Sequence, residues 1–92
     1  MKEITAFYLN GCPYCANAKE ALAELIQENP AYGKVAVNWY EENEHPEVVK
    51  GHNYYYAPSL FIGTEKVYEA QPGQQYDEIK AHVKAALDKA LQ

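Results

Sequence analysis

The sequence of 92 residues has no long apolar run, no cluster of basic residues, no internal repeat and no low-complexity tract. Its first ten residues, MKEITAFYLN, lack the apolar stretch of a secretory signal or a membrane span. A net charge of -5 also disfavours contact with a phosphate backbone. We therefore expect a cytoplasmic protein that binds neither nucleic acid nor membranes.

Cysteine is scarce too, but the two cysteines present lie three positions apart, in the segment GCPYCANAK. Structural disulfides are rare in a reducing cytoplasm, so this pair indicates catalysis or metal binding. A closed zinc site needs four ligands, and none of His45, His52 and His82 has zinc-finger spacing from Cys12 and Cys15. We therefore predict no metal, with a structural zinc site and an accidental cysteine pair as the alternatives.

The chain has the length of one domain, residues 1–92, and its hydrophobic pattern alternates between strands and helices. Strands are predicted at residues 3–9 and 34–40 and in SLFIG and KVYEA, which are separated by a turn at Gly63-Thr64-Glu65. Helices are predicted over residues 12–29, in NEHPEVVKGH and from Gln74 or Tyr76 onward. The order β-α-β-α-β-β-α makes the first two strands parallel. It fits an α/β fold with a central four-stranded mixed sheet flanked by helices.

Cys12 is predicted at the junction of the first strand and the first helix. Free N–H groups and the helix dipole favour a thiolate at such a position. Cys15, nearly one turn further along, is expected to be less exposed and to keep its proton longer. This difference gives Cys12 the attack on a disulfide and Cys15 the release of the mixed disulfide. Lys19 is expected to be a solvated helix lysine, with weak stabilisation of the thiolate as the alternative.

Two segments resemble known proteins. FYLNGCPYCANAKEAL resembles the active-site segment of glutaredoxins, and YAPSLFIG resembles the segment of glutaredoxins and thioredoxins whose cis-proline faces the cysteines. The resemblance implies a thioredoxin-like fold and a CPYC dithiol oxidoreductase, with Cys12 and Cys15 as the catalytic residues. The substrate-binding residues that it implies are Pro13, Tyr14, Ala57 and Pro58. The bond before Pro58 would be cis, and the Ala57 backbone would pair with an extended substrate.

The electron donor is the point at which the chain departs from glutaredoxins. Leu9 and Asn10 stand where glutaredoxins commonly carry a lysine that pairs with a glutathione carboxylate. Only Gly73 and Asp77 echo the Gly-Gly and acidic pair that bind the other end of glutathione. We expect no bound cofactor. Glutathione as co-substrate and a flavoprotein reductase as electron donor both stay open.

Other interpretations of the same fold also stay open. One is a reductase served by a thioredoxin reductase, which the missing lysine and Gly-Gly pattern favour. Another is a non-catalytic binding or redox-sensing module. A third is a metal or iron–sulfur carrier, formed as a dimer bridged through Cys12. For the oxidoreductase we expect a monomer that acts on disulfide-containing proteins or small-thiol substrates.

The surroundings of the motif give three further expectations. Tyr54, Tyr55 and Tyr56 come directly before Pro58, so they either line a substrate groove or pack over the sheet edge. Trp39 is expected on a central strand, in the core at one edge. The acidic segment YEENEHPE is expected to form a solvated loop and the start of a helix.

Overall fold

The structure is a computed structural model that describes residues 1–92. In chain order its elements are β1 (Ile4–Tyr8), α1 (Pro13–Glu28), a 3-10 helix (Pro30–Lys34), β2 (Val37–Glu41), α2 (Pro46–Val49), β3 (Ser59–Ile62), β4 (Glu65–Glu69) and α3 (Tyr76–Leu91). The predicted order of strands and helices is confirmed. The 3-10 helix was not predicted, and it moves the start of the second strand from residue 34 to residue 37. It forms because Asn29 caps it and Pro30 suits its first position.

The four strands form one mixed sheet in the order β2-β1-β3-β4. β1 runs parallel to β2 and antiparallel to β3, which forms an antiparallel hairpin with β4. The predicted sheet is therefore confirmed, but the placement of Trp39 on a central strand is wrong. β3 takes the other side of β1, so β2 is an edge strand and Trp39 is only half-buried on it.

Helices α1 and α3 pack against each other and cover one face of the sheet. The predicted apolar stripe of α3 is fully buried and consists of Ile79, Val83, Ala86, Leu87 and Ala90. The other face is covered by the segment after α2, where the ring of Tyr54 stacks on that of Phe7 at a centroid distance of 5.0 Å. This arrangement leaves the carboxyl end of β1 and the start of α1 open at one edge of the molecule.

None of the helices combines the length and the apolar character that crossing a lipid bilayer requires.

Candidate active site

Cys12 occupies the N-cap of α1, the position just before the first helical residue. The chain leaves β1 at Tyr8 and turns at Gly11, whose φ of 79° lies in the left-handed region that favours glycine. Pro13 then takes the first helical position, where its missing N–H is not needed. The Sγ of Cys12 accepts a hydrogen bond from the backbone N–H of Cys15 at 3.2 Å. The side chain that caps the helix is therefore the sulfur itself, and it is half-exposed.

Cys15 lies behind Cys12 and is only 2% exposed. Burial, followed by the hydrogen bond to Cys12, raises the pKa of Cys15 to about 12. The expectation that Cys15 is less exposed than Cys12 is confirmed. Both cysteines are free thiols in the structure. The pair thus consists of one accessible sulfur and one enclosed, protonated sulfur.

The segment Ala57–Pro58 faces Cys12 from the other side. The peptide bond between the two residues is cis, as the resemblance implied. The Cys12 thiol donates to the carbonyl oxygen of Ala57, with 3.7 Å between Sγ and O. Pro58 is buried, and its carbonyl accepts a hydrogen bond from the N–H of Ala70. The N–H of Ala57 donates to no acceptor in the structure, so one backbone donor next to the exposed sulfur is free.

Glu69, in β4, holds the segment just before Ala57. Its carboxylate accepts hydrogen bonds from the backbone N–H groups of Tyr55 and Tyr56, at 2.6 and 2.7 Å, and an ion pair from Lys66 at 2.6 Å. Burial alone would raise the pKa of Glu69, but these three donors outweigh it and lower the pKa. The sequence analysis missed this residue. The hairpin register was the available signal, because it sets Glu69 opposite Ser59, beside the Pro58 segment.

The three tyrosines before Ala57 separate into two groups. Tyr54 stacks on Phe7 and donates its hydroxyl to Glu42 at 3.0 Å, so it packs over the sheet. Burial, followed by that hydrogen bond, raises its pKa. Tyr55 and Tyr56 are 94% and 48% exposed. Their rings are therefore available on the surface next to the free N–H of Ala57.

Glu41, the last residue of β2, supports the turn before Cys12. It is only 5% exposed, and its carboxylate accepts the backbone N–H of Asn10 at 3.0 Å and that of Asn43 at 2.7 Å. The bond from Asn10 is the main cause that lowers the pKa of Glu41. The prediction that YEENEHPE is a solvated segment is therefore wrong at this residue. The parallel register sets Glu41 opposite Tyr8, within reach of the turn.

A cavity of about 160 Å³ opens beside the two sulfurs. Its wall consists of Tyr8, Leu9, Asn10, Gly11, Cys12, Cys15, Ala16 and Lys19. The Nζ of Lys19 lies 3.4 Å from the centroid of the Tyr8 ring and 5.3 Å from that of Trp39. A cation over an aromatic face is attracted by the ring electrons. Lys19 is thus exposed as expected, but its ammonium is held over two rings at the wall of this cavity.

Tyr14, the second residue between the cysteines, connects the starts of α1 and α3. Its hydroxyl oxygen accepts the backbone N–H of Gly73 at 2.7 Å, and Gly73 has a φ of 89°. At the start of α3, the N–H of Gln75 donates to the carboxylate of Glu78 at 2.9 Å. The predicted substrate residue Tyr14 is therefore half-buried and already engaged within the chain, whereas Pro13 is exposed.

The three histidines occupy aromatic environments. The ring of His45 lies against Tyr40, that of His52 against Phe61, and that of His82 against Tyr68. The structure contains no group of three or more His, Cys, Asp or Glu side chains that could hold a metal ion.

No protein-family model matches the chain, and no curated protein matches it in sequence. Solved structures do share its fold. Human ERp44 in its zinc-bound form is 15% identical, with a TM-score of 0.60 over 92% of this chain and 27% of that chain. The first two thioredoxin domains of Saccharomyces cerevisiae Eps1p are 16% identical, with a TM-score of 0.59 over 98% of this chain and 38% of that chain. Oxidized glutaredoxin 2 from Chlamydomonas reinhardtii is 23% identical, with a TM-score of 0.50 over 99% and 80%.

These likenesses show the fold. The chain spans well under half the length of the first two structures that it matches. The thioredoxin-like fold implied by the CPYC segment and by the segment around Pro58 is confirmed.

Proposed function

We propose that the chain is a thiol-disulfide oxidoreductase that reduces, or exchanges with, disulfides through Cys12 and Cys15. One observation carries this proposal. The half-exposed sulfur of Cys12 caps α1, faces the Ala57 backbone and has the buried, protonated Cys15 directly behind it. Such a pair of unequal thiols at a helix start is suited to attack followed by release.

The proposed reaction has two exchange steps. The Cys12 thiolate attacks one sulfur of the substrate disulfide, so that the substrate S–S bond breaks, a mixed disulfide forms and one thiolate leaves. Cys15 then loses its proton and attacks the Cys12 sulfur, releasing the second thiolate and closing the Cys12–Cys15 disulfide. Two electrons pass to the substrate, and an external thiol or dithiol must return them.

The geometry supplies a reason for this order. Two of the causes that raise the pKa of Cys15, after burial, are its hydrogen bond with Cys12 and the charge of Cys12. Once the Cys12 sulfur is bonded to the substrate, its charge is lost and it becomes a weaker hydrogen-bond acceptor. The pKa of Cys15 therefore falls in the mixed disulfide, which is the state in which Cys15 has to attack.

Extended peptide segments are the substrates that this site fits best. The free N–H of Ala57 and its carbonyl lie beside the reactive sulfur and can pair with a substrate backbone. Tyr55 and Tyr56 offer exposed aromatic rings next to this backbone. We accordingly propose disulfide-containing proteins as substrates, in a reducing compartment such as the cytoplasm.

A specific observation favours a flavoprotein reductase or another dithiol protein over glutathione as the electron donor. Glutaredoxins commonly bind one end of glutathione just before their last helix. In this chain the N–H of Gly73 donates a hydrogen bond to the Tyr14 hydroxyl oxygen, and the N–H of Gln75 donates one to the Glu78 carboxylate. An anionic group that arrives at the start of α3 would have to displace these internal acceptors.

The experiment compares three proteins on a synthetic peptide closed by one disulfide. The unaltered chain should reduce the peptide, Cys12→Ser should lose all exchange, and Cys15→Ser should stop as a mixed disulfide that mass spectrometry detects. Full reduction by Cys15→Ser, or exchange by Cys12→Ser, would contradict the assigned roles. Turnover with glutathione alone, compared with turnover with a flavoprotein reductase, then identifies the donor.

A further inference from the structure

We propose that Lys19 forms a carboxylate-binding subsite beside the reactive sulfurs, so that the chain prefers disulfides with a negative charge close to sulfur. This inference rests on the proposed oxidoreductase function and names a substrate preference for it. The Lys19 ammonium and the sulfurs of Cys12 and Cys15 border the same cavity. A substrate group bound to Cys12 can therefore extend toward Lys19.

The Lys19 ammonium has a fixed location but no anionic partner. It lies 3.4 Å from the centroid of the Tyr8 ring, which orients it without neutralising its charge. The chain has eight lysines and no arginine, and four of the lysines form no ion pair with a carboxylate: Lys2, Lys19, Lys34 and Lys50. Among these, only Lys19 borders the cavity, whose wall contains no acidic residue.

Glu41 is hydrogen-bonded to a residue of this wall, since its carboxylate accepts a hydrogen bond from the N–H of Asn10. Its carboxylate is engaged by the backbone N–H groups of Asn10 and Asn43 and does not line the cavity. The positive charge of Lys19 is therefore not cancelled by a neighbouring acid. An incoming carboxylate would be its first counter-ion.

The size and position of the cavity define what can bind. The cavity of about 160 Å³ opens to the surface and is bordered by both sulfurs and by Lys19. A carboxylate on a short linker can lie in it between Cys12 and Lys19. Lys19 follows Cys12 by seven residues, or about 10 Å along the helix axis, and helix side chains lean back toward the N-terminus. The bound carboxylate would thus belong to a group only a few bonds from the exchanging sulfur.

Two kinds of molecule share this chemistry. One is the disulfide of a small thiol that carries a carboxylate. The other is a peptide disulfide with an acidic residue beside its half-cystine.

The net negative charge of the protein opposes the proposed preference for anionic disulfides. Observing that preference would therefore indicate a local positive group. The net charge is -5, so long-range electrostatics attract cationic substrates and repel anionic ones. Without a local subsite, exchange rates should fall in the order cationic, neutral, anionic. A preference for the anionic disulfide requires a positive group at the site itself.

The test uses pre-reduced protein in a single turnover, so no electron donor is needed. Three symmetrical disulfides differ in charge: dithiodipropionate is anionic, hydroxyethyl disulfide is neutral and cystamine is cationic. They also differ in the pKa of the leaving thiol, so each rate is divided by the rate of free dithiothreitol with the same disulfide, and the rates compared below are these normalised rates. At neutral pH and low salt, dithiodipropionate should react about three- to fivefold faster than hydroxyethyl disulfide, the range of a solvent-accessible ion pair. Cystamine should be the slowest of the three.

Variants assign the preference to Lys19. Lys19→Met should reverse the order, so that cystamine becomes the fastest, and Lys19→Arg should keep the original order. Lys2→Met is the matched control, because it changes the net charge equally but lies before β1, at the opposite end of that strand from the cysteines. Lys19→Gln provides a second neutral variant in case the methionine variant does not fold. A role of Lys19 in activating a sulfur would change all three rates together and leave their ratios unchanged.

The outcomes separate the two proposals. If the unaltered protein reduces none of the three disulfides, the oxidoreductase function itself fails. If it reduces all three without preferring dithiodipropionate, or if Lys19→Met and Lys2→Met shift the ratios equally, only the subsite is overturned. Two cyclic peptides, one with Glu and one with Gln beside the half-cystine, then show whether the subsite serves peptide or small-thiol disulfides. A Lys19-dependent preference for the Glu peptide assigns the subsite to protein substrates, and a preference limited to dithiodipropionate assigns it to small thiols.

Discussion

At the scale of single residues, burial distinguishes the two cysteines more strongly than their three-residue spacing suggests. Cys12 is half-exposed at the helix cap, and Cys15 is 2% exposed behind it. Desolvation favours the neutral thiol, which is why the pKa of Cys15 rises to about 12. Only the thiolate is a strong nucleophile. The reactivity of the reduced protein should therefore be confined to one sulfur.

Alkylation measures this difference directly. We expect iodoacetamide to label Cys12 and to leave Cys15 unlabelled between about pH 7 and pH 9, because Cys12 is half-exposed whereas Cys15 is buried and its raised pKa keeps it protonated over this range. In denaturant both cysteines should react at similar rates. Peptide mapping by mass spectrometry identifies the labelled residue. Equal labelling of the two cysteines in the native protein would contradict the assignment.

At the scale of secondary structure elements, two acids hold the loops that meet at Cys12. Glu41 at the end of β2 fixes the turn after β1, and Glu69 at the end of β4 fixes the segment before Ala57. Each acid accepts backbone N–H groups that would otherwise be paired only with water. The site is thus positioned by the carboxyl ends of two strands that carry no reactive residue.

The contacts of Glu69 with the Tyr55–Ala57 segment can be tested with a graded pair of variants. We expect Glu69→Ala to raise KM for a peptide disulfide several-fold, because the Tyr55–Ala57 backbone loses its two anchors. Exchange with a small disulfide should change little. The free energy of unfolding should fall by about 1–3 kcal/mol, because two hydrogen bonds to a charged acceptor are lost.

Glu69→Gln should lie between the alanine variant and the unaltered protein, since its carbonyl oxygen still accepts. Lys66→Met is the matched control, because it removes the ion pair and leaves both backbone bonds in place. If Lys66→Met raises KM as much as Glu69→Ala does, the assignment of backbone positioning to Glu69 is contradicted.

The features that the sequence allowed us to predict are those encoded by neighbouring residues. Cys12 at the helix start follows from a strand, a Gly11 turn and Pro13, and the α3 stripe follows from helical spacing. The contacts of Glu41 with Asn10 and of Glu69 with Tyr55 join residues that are 31 and 14 positions apart. They depend on strand order and register. Hydrophobic periodicity gives the face of each strand but not its neighbours, which is also why Trp39 was assigned to a central strand.

At the scale of the whole molecule, tyrosine–carboxylate pairs connect α3 to the rest of the helical layer. The hydroxyl of Tyr76 in α3 donates to Glu24 in α1, and that of Tyr32 in the 3-10 helix donates to Asp88 in α3 at 2.6 Å. Each hydrogen bond lowers the pKa of the carboxylate and raises the pKa of the tyrosine, to about 12 for Tyr76. These bonds are therefore strongest while the carboxylate is charged and the phenol is neutral.

This requirement predicts a stability profile that falls at both ends of the pH range. A carboxylate with a lowered folded-state pKa stabilises above its unfolded value, near 4. That contribution is lost as the pH falls through the folded value. A phenol or thiol with a raised folded-state pKa stabilises below its unfolded value, about 10 for tyrosine and about 8.5 for cysteine, and the contribution is lost as the pH rises toward the folded value. The free energy of unfolding in urea should therefore be flat between about pH 5 and pH 8 and decline on either side.

The double variant Tyr32→Phe, Tyr76→Phe separates these pairs from the other titrating groups. It removes both donors, so Glu24 and Asp88 lose the main cause of their lowered pKa. The decline below pH 5 should become shallower, and so should the decline above pH 9, because two raised phenols are gone. Tyr55→Phe, which alters a ring that is 94% exposed, should leave the profile unchanged. If the free energy of unfolding declines below pH 5 as steeply in the double variant as in the unaltered chain, the ion pairs with lysine lower the pKa values of these carboxylates instead. Added salt would then make that decline shallower.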